Sequence, residues 1–234
     1  MWLGSCGRRQ SAIRPIGSPT LCRGRPDDLV ELVRCAVPAF SDNARPGNTR
    51  FQMSLAIQTV EAGFVEQRIM AAAPALEHLV WSKLVLSNLW TAGEYEARIA
   101  EDRLRYVLQL ANVSTHIDPV ALPALAKFAR ADRIDGPTAV TRVRNRLIHP
   151  KTPQDQIYKH EGLVQDAWSL CRRYVTLLLL HSLGYHGEYV DPVRNTSWEG
   201  TTLAVPWAAS SITAPPMPPT KYAVRRSKRR TARS

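Results

Sequence analysis

The sequence predicts an all-α fold: a helical bundle with a small extended or hairpin segment near the C-terminus and disordered, basic ends. Apolar residues recur at spacings of three and four through most of the stretch from Phe51 to Leu183, which is typical of amphipathic helices. The chain holds no internal repeat and no alternating run of strands and helices, so a parallel α/β sheet is disfavoured. Its 234 residues, 44% of them apolar, suffice for one domain, or two, with a real core.

Charge and composition divide the chain into three regions. Residues 1–50 carry eight arginines and four acids, and we expect them to be disordered or loosely packed, with one short helix starting at Asp27 and Asp28. Residues 51–207 form the predicted helical domain, with sixteen basic and sixteen acidic side chains. Residues 208–234, rich in proline and arginine and without an acid, are expected to be a disordered tail. The net charge of +11 therefore comes from the two ends.

Three helices are predicted in the first half of the helical domain. The first two cover residues 51–60 and 64–89, separated near Gly63, and Pro74 inside the second predicts a kink or a break. The third covers residues 95–110. Its core face is predicted to consist of Ile99, Leu104, Val107 and Leu108.

Two further helices are predicted from their start signals. Asp118 is predicted to cap the first of these helices, and Pro119 to lie in its first turn. The apolar pattern continues this helix to about Ala131. Asp135 and Pro137 are predicted to have the same roles, cap and first-turn proline, in the next helix. The longest helix, over residues 157–183, is predicted to bury Leu163, Ala167, Leu170, Tyr174, Leu177 and Leu178.

Beyond Gly184 the composition changes. The stretch Trp198–Trp207 has strand-like residues and predicts a small hairpin or an extended flap against the bundle.

The cysteines and the apolar runs predict the compartment. The four cysteines are spaced widely, with no C-x-x-C pair and no histidines at metal-ligand spacing, which predicts free thiols in a reducing compartment and neither a metal site nor a cofactor. The longest apolar run, residues 174–183, is too short to span a bilayer. The N-terminus lacks the long apolar stretch of a secretory signal. We therefore expect a cytoplasmic protein without a membrane segment.

One stretch, residues 136–150, combines an arginine, an amide and an imidazole at a helix end. Pro150 ends the helix and pushes His149 out of the right-handed helical region, while Arg144 and Asn145 lie just before it. The free carbonyls at a helix C-terminus favour a protonated imidazole. The apolar side of this helix is predicted to hold Val140, Val143, Leu147 and Ile148.

The run Arg144-Asn-Arg-Leu-Ile-His149 resembles the R-x4-6-H motif of the HEPN superfamily, helical bundles many of which are RNases of toxin and antiphage systems. The segments Ala75–Trp81, Trp168–Tyr189 and Val205–Trp207 look like parts of an uncharacterised bacterial HEPN-like group. The resemblance covers roughly residues 51–207 and implies a HEPN-like bundle.

The resemblance implies a metal-independent endoribonuclease, with RNA as substrate. Arg144 would stabilise the negative charge that develops on the phosphoryl oxygens when the 2′-hydroxyl attacks the adjacent phosphorus. His149 would take the 2′-hydroxyl proton or protonate the leaving 5′-oxygen, because an imidazole titrates near neutral pH. Asn145 would hold the histidine tautomer or contact phosphate. The resemblance also implies a homodimer with two facing motifs, and an antitoxin or regulatory partner.

Further cations are candidates for RNA binding through phosphate charge. One lies within the motif, one follows it closely, and the others lie in the basic tail: Arg146, Lys151, Arg225, Arg226, Lys228, Arg229 and Arg230. The alternative for the tail is a nonspecific solubilising segment.

Alternatives remain open for the motif. In one alternative the two residues have only a structural role. Arg144 then pairs with an acid from another helix, and His149 is an exposed residue at the helix end. Glu77 and His78 are either a second polar pair near the site or part of a solvated face. The alternative function is a non-catalytic helical module that binds RNA or a protein partner.

Overall fold

The computed structural model describes residues 26–41, 48–149, 157–194, 202–208 and 215–221. These ranges form eight α-helices and one pair of short strands, so the all-α prediction, with a small extended segment near the C-terminus, is confirmed. The helices are α1 (Pro26–Ser41), α2 (Asn48–Glu61), α3 (Val65–Trp81), α4 (Ala92–Glu96), α5 (Ala100–Leu110), α6 (Pro123–Asp132), α7 (Gly136–Ile148) and α8 (Leu163–Ser182). A π-helical turn, Ser82–Leu86, prolongs α3, a 3-10 turn, Ile157–Lys159, precedes α8, and the strands are β1 (Glu188–Tyr189) and β2 (Leu203–Ala204).

The core forms around α3 and α8. Helix α3 packs against α2, α5, α7 and α8, and α8 also contacts α6. The apolar positions predicted for α8 are all buried: Leu163, Ala167, Leu170, Tyr174, Leu177 and Leu178. Each fully buried large apolar side chain contributes about 1.5–3 kcal/mol relative to exposure, so this stripe is a principal source of stability.

Helix α3 with its π-turn, Val65–Leu86, has the length and apolar composition of a membrane span, by those two criteria alone. Its contacts with four other helices are those of a core helix in a bundle. The prediction for Pro74 was a kink or a break, and α3 continues through this residue without a break. Proline removes one backbone hydrogen bond, and the packing of α3 on its neighbours outweighs that loss.

The helix predicted over residues 95–110 is two helices, α4 and α5. Thr91 and Glu94 form a capping box that starts α4. Ile99 has an extended backbone (φ −79°, ψ 157°) as the N-cap residue of α5 and is 37% exposed, so its predicted place in the core is wrong. The other three predicted core residues, Leu104, Val107 and Leu108, are buried.

Helix α6 starts at Pro123 and not at Asp118 as predicted. The Asp118 carboxylate accepts hydrogen bonds from the backbone N–H groups of Val120 (2.9 Å) and Ala121 (3.4 Å), so it forms a turn. The backbone of Leu122, the residue before α6, lies outside the helical region (φ −132°, ψ 62°) because a proline follows it. The proline then takes the first turn of α6.

Helix α8 starts at Leu163, six residues later than predicted, because Gly162 before it has a left-handed backbone (φ 78°). Its first turn caps α6: the Asp166 carboxylate accepts hydrogen bonds from the N–H groups of Ala124 (2.8 Å) and Leu125 (3.1 Å). Burial raises the pKa of Asp166 and outweighs these two hydrogen bonds.

The C-terminal part adds a small sheet and a docked segment. Strand β2 lies in the predicted hairpin region and pairs antiparallel with β1, which precedes that region. Residues 215–221 lie against α4, contrary to the expected disorder: the Lys221 N–H donates to the Ala97 carbonyl (2.7 Å) and buried Arg98 to the Pro218 carbonyl (2.8 Å). The tail cations Arg225, Arg226, Lys228, Arg229 and Arg230 lie outside the described residues.

The short N-terminal helix predicted at Asp27 is present as α1, and it is longer than predicted. None of its residues is buried. The Asp28 carboxylate ties it to the sheet by accepting a hydrogen bond from the Glu188 N–H (3.1 Å).

Candidate functional site

Helix α7 carries the motif, and both of its ends lie where the sequence predicts. The Asp135 carboxylate accepts hydrogen bonds from the N–H (3.2 Å) and hydroxyl (2.8 Å) of Thr138 and from Nε of Arg105 on α5 (2.6 Å). At the other end, His149 leaves the helical region (φ −128°, ψ 72°) and its N–H donates to the Asn145 carbonyl (2.8 Å). Arg105 therefore anchors the N-terminal end of the motif helix, and the bond from His149 is the last backbone hydrogen bond of the helix.

Arg144 lies in a groove of about 650 Å³ lined by α3, α5 and α7. It is half-buried, and its Nη1 donates to Oδ1 of Asn145 (2.9 Å). Its Nε is buried and has no hydrogen-bond partner in the described part of the chain. The structure shows no ion pair between this guanidinium and an acid of the described residues, so the structural alternative for Arg144 finds no support there.

A second cation, Arg103 on α5, lines the same groove. Its Nη2 lies 3.0 Å from Oε1 of Glu77, and its guanidinium lies over the Tyr95 ring at 4.0 Å. The Tyr95 hydroxyl donates to the same Glu77 oxygen (2.6 Å), and burial with this bond raises the pKa of the phenol. The groove thus holds a carboxylate that is fixed in place by two partners.

The rest of the groove wall is mainly apolar. It is formed by Ile69, Met70, Ala73, Pro74, Leu76, Val80, Ala100, Leu104, Val140 and Cys171, with Thr141 as a further polar residue.

Arg103 and Tyr95 are not among the site residues predicted from the sequence. A signal for Arg103 exists in the sequence, since it lies three residues after Ala100 and four before Val107 and so belongs to the core-facing side of α5. Glu77 was identified as a candidate, and the structure places it in the groove with Arg144.

The other members of the motif do not line the groove. His149 and Asn145 are exposed. The Asn145 carboxamide accepts a hydrogen bond from Arg144, and the Asn145 backbone carbonyl accepts one from the His149 N–H. No hydrogen bond joins the carboxamide to the imidazole in the described part of the chain. The structure therefore places Arg144 and His149 on one helix end without bringing their side chains into contact.

Two nearby candidates face elsewhere. Arg146 is half-buried with its guanidinium over the Phe128 ring of α6 at 4.9 Å. His78 packs against Phe51, with ring centroids 4.9 Å apart, and burial lowers the pKa of its imidazole. His78 therefore does not pair with Glu77, which lines the groove. Lys151 lies outside the described residues.

The described ranges hold no group of three or more His, Cys, Asp or Glu side chains close enough to bind a metal ion. The two cysteines in these ranges, Cys35 and Cys171, are free thiols.

Residues 53–204, which include α3, α5, α7 and the groove, match the YopA C-terminal domain family. The chain belongs to this family. Among the curated relatives of this YopA C-terminal domain is the SPbeta prophage-derived uncharacterized protein YopA of Bacillus subtilis (strain 168), 29% identical over 156 residues. The aligned part covers 64% of this chain and 33% of that protein, so the chain spans about a third of its length. No solved structure matches the chain.

Proposed function

We propose that this YopA C-terminal domain is a metal-independent endoribonuclease of HEPN type that acts in the cytoplasm as a toxin or antiphage component. The observation that carries the proposal is the guanidinium of Arg144. It is half-buried in a groove, its Nε has no partner, and no acid of the described residues neutralises it. A buried cation without a counter-charge costs free energy unless a ligand compensates it. A phosphodiester has the charge and the geometry to do so.

The proposed reaction breaks one bond and forms one at phosphorus. The 2′-hydroxyl oxygen attacks the adjacent phosphorus, the bond from phosphorus to the 5′-oxygen breaks, and a cyclic phosphate forms. Arg144 stabilises the charge that develops on the phosphoryl oxygens. His149, exposed and free of helical constraint, accepts the 2′-hydroxyl proton while water protonates the leaving 5′-oxygen, or donates a proton to the 5′-oxygen while water accepts the 2′-hydroxyl proton. Asn145 orients the guanidinium through its 2.9 Å hydrogen bond.

The groove also supports single-stranded RNA as the substrate class. Met70 and Leu76 belong to an apolar wall against which an unstacked base packs. The cations Arg146 and Lys151 are proposed to add phosphate contacts, together with the basic tail.

The proposed assembly is a homodimer in which two motifs share one RNA groove, with an antitoxin or regulatory protein as a further partner. This rests on the HEPN resemblance. Light scattering on the purified chain tests it: twice the chain mass of 26.2 kDa is expected, and the mass of one chain would contradict the composite site.

A second candidate function is a non-catalytic module that binds RNA or a protein partner. The apolar character of the groove wall favours it, since Met70 there is 41% exposed. In this case Arg144 would recognise a ligand without cleaving it.

Incubation of purified protein with single-stranded RNA in EDTA separates the two functions. Cleavage is expected for the wild type and should disappear in Arg144→Ala and in His149→Ala. The matched controls are Arg142→Ala, an exposed arginine of the same helix that pairs with Asp132 (2.5 Å), and His116→Ala, an exposed histidine. Both controls should cleave as the wild type does.

Circular dichroism must show that each variant retains its helix content. Cleavage that survives both motif substitutions would refute the proposed chemistry. Intact RNA with salt-sensitive binding would support the non-catalytic function. Absence of both cleavage and binding would refute both functions.

A further inference from the structure

Lys83 occupies a position that the packing of α3 would give to an apolar side chain. It follows the buried residues Ala72, Leu76 and Leu79 at successive helical spacings of four, three and four. It also lies in the π-helical turn Ser82–Leu86, and such turns occur frequently at functional sites. A lysine in a core stripe is costly unless its charge is compensated.

No carboxylate in the described part of the chain compensates Lys83. Its side chain is half-buried and forms no ion pair or hydrogen bond with a described residue. Burial lowers the pKa of its ammonium group. A neighbouring imidazole, His181 of α8, has its pKa lowered to about 4 by burial first and then by the charges of Lys83 and His186. The charge of Lys83 therefore acts on the imidazole of His181.

Lys83 and His181 line a cavity of about 190 Å³ where α2, the end of α3 and the end of α8 meet. Asn48 and Thr49 bring the first turn of α2 to its wall, where the helix dipole favours an anion. Its walls carry no acidic side chain in the described ranges, and its volume is several times the roughly 30 Å³ that a water molecule occupies in the liquid.

One hydrogen bond in the wall leaves a donor available. The amide of Gln52, a residue only 7% exposed, donates to Oγ of Ser82 (3.1 Å). Because the serine oxygen accepts this bond, its own hydroxyl proton is left for another acceptor. An oxyanion in the cavity would receive this proton and a hydrogen bond from the ammonium group.

We propose that this cavity binds a small anion bearing a phosphate group, with Lys83 as its charge partner. Phosphate fits because the wall offers donors and one cation without a competing carboxylate. Inorganic phosphate and a nucleoside monophosphate share this chemistry. The site is independent of the proposed RNase function, since the cavity and the Arg144 groove share no lining residue.

Isothermal titration of the full chain with inorganic phosphate and, separately, with AMP, at constant ionic strength, tests the proposal. Saturable binding of at least one is expected for the wild type, and the tighter ligand identifies the source. Lys83→Met should weaken binding at least about tenfold, the effect of losing one charged hydrogen bond. Lys127→Met, an exposed lysine on α6, is the control and should bind as the wild type does.

A second readout requires no lysine substitution. An anion beside His181 stabilises the imidazolium, so phosphate should shift the ring resonances of this histidine in NMR spectra at mildly acidic pH. The resonances are assigned by their loss in His181→Gln. Absence of saturable binding, unchanged affinity in a folded Lys83→Met variant, or binding that leaves the His181 resonances unmoved would each overturn the proposal.

Discussion

Replacement of Asp135 by alanine should destabilise the protein by about 2 kcal/mol. About 1 kcal/mol comes from loss of the N-cap of α7, since this carboxylate accepts the Thr138 N–H. The ion pair with Arg105 adds about 1 kcal/mol, a value kept small because both side chains are about a quarter exposed (26% and 29%). For a chain of this size the melting temperature should fall by about 4–8 °C.

Urea unfolding followed by circular dichroism measures this difference. Asp135→Asn keeps a good N-cap and loses the ion pair, so its cost should be about half that of alanine. Asp118→Ala removes a surface turn and should cost about 0.5 kcal/mol or less. An alanine variant at 135 that is no less stable than the Asp118 control would refute the reasoning.

The same carboxylate predicts a pH dependence. Burial would raise the pKa of Asp135, but the hydrogen bonds from Arg105 and Thr138 outweigh it and lower the pKa. Its contribution is therefore present above the unfolded-state pKa of about 3.9 and is lost as the pH falls through the lower folded-state pKa. The wild type should consequently lose more stability than Asp135→Ala on acidification below about pH 4.

Three further predictions concern the core. Gly136→Ala should cost about 1–3 kcal/mol in urea unfolding, because the new methyl group would overlap the Tyr174 hydroxyl, and wild-type stability would contradict this. Because the pKa of His181 is lowered to about 4, the unfolded chain binds this proton at a higher pH than the folded chain does. The free energy of unfolding should therefore fall by about 1–2 kcal/mol from pH 6.5 to 4. The His181→Gln variant should not show this loss. Burial raises the pKa of Cys171 to about 12, so a thiol reagent should label this residue only after unfolding, as measured by mass spectrometry. Half-buried Cys35 should react in the native protein. Fast labelling of Cys171 in the native protein would contradict its buried position.

Local signals located the motif helix correctly. Asp135 caps α7, Pro137 takes its first turn and His149 leaves it before a proline, and each of these effects acts over a few residues. The same kind of signal failed at Asp118, because a second proline at 123 moved the helix start. At Pro74 packing in the core kept α3 continuous, so the helix does not break there.

The sequence by itself determined the all-α class, the limits of α7 and the position of Arg144 at its end, because helical periodicity and caps are local properties. Tertiary structure alone decided what surrounds that arginine. Glu77, Arg103 and Arg144 come from three helices and line one groove, and Lys83 meets His181 across almost a hundred residues of chain. Spacing along a chain does not specify which helix faces pack together, so these two sites emerge only when the bundle forms.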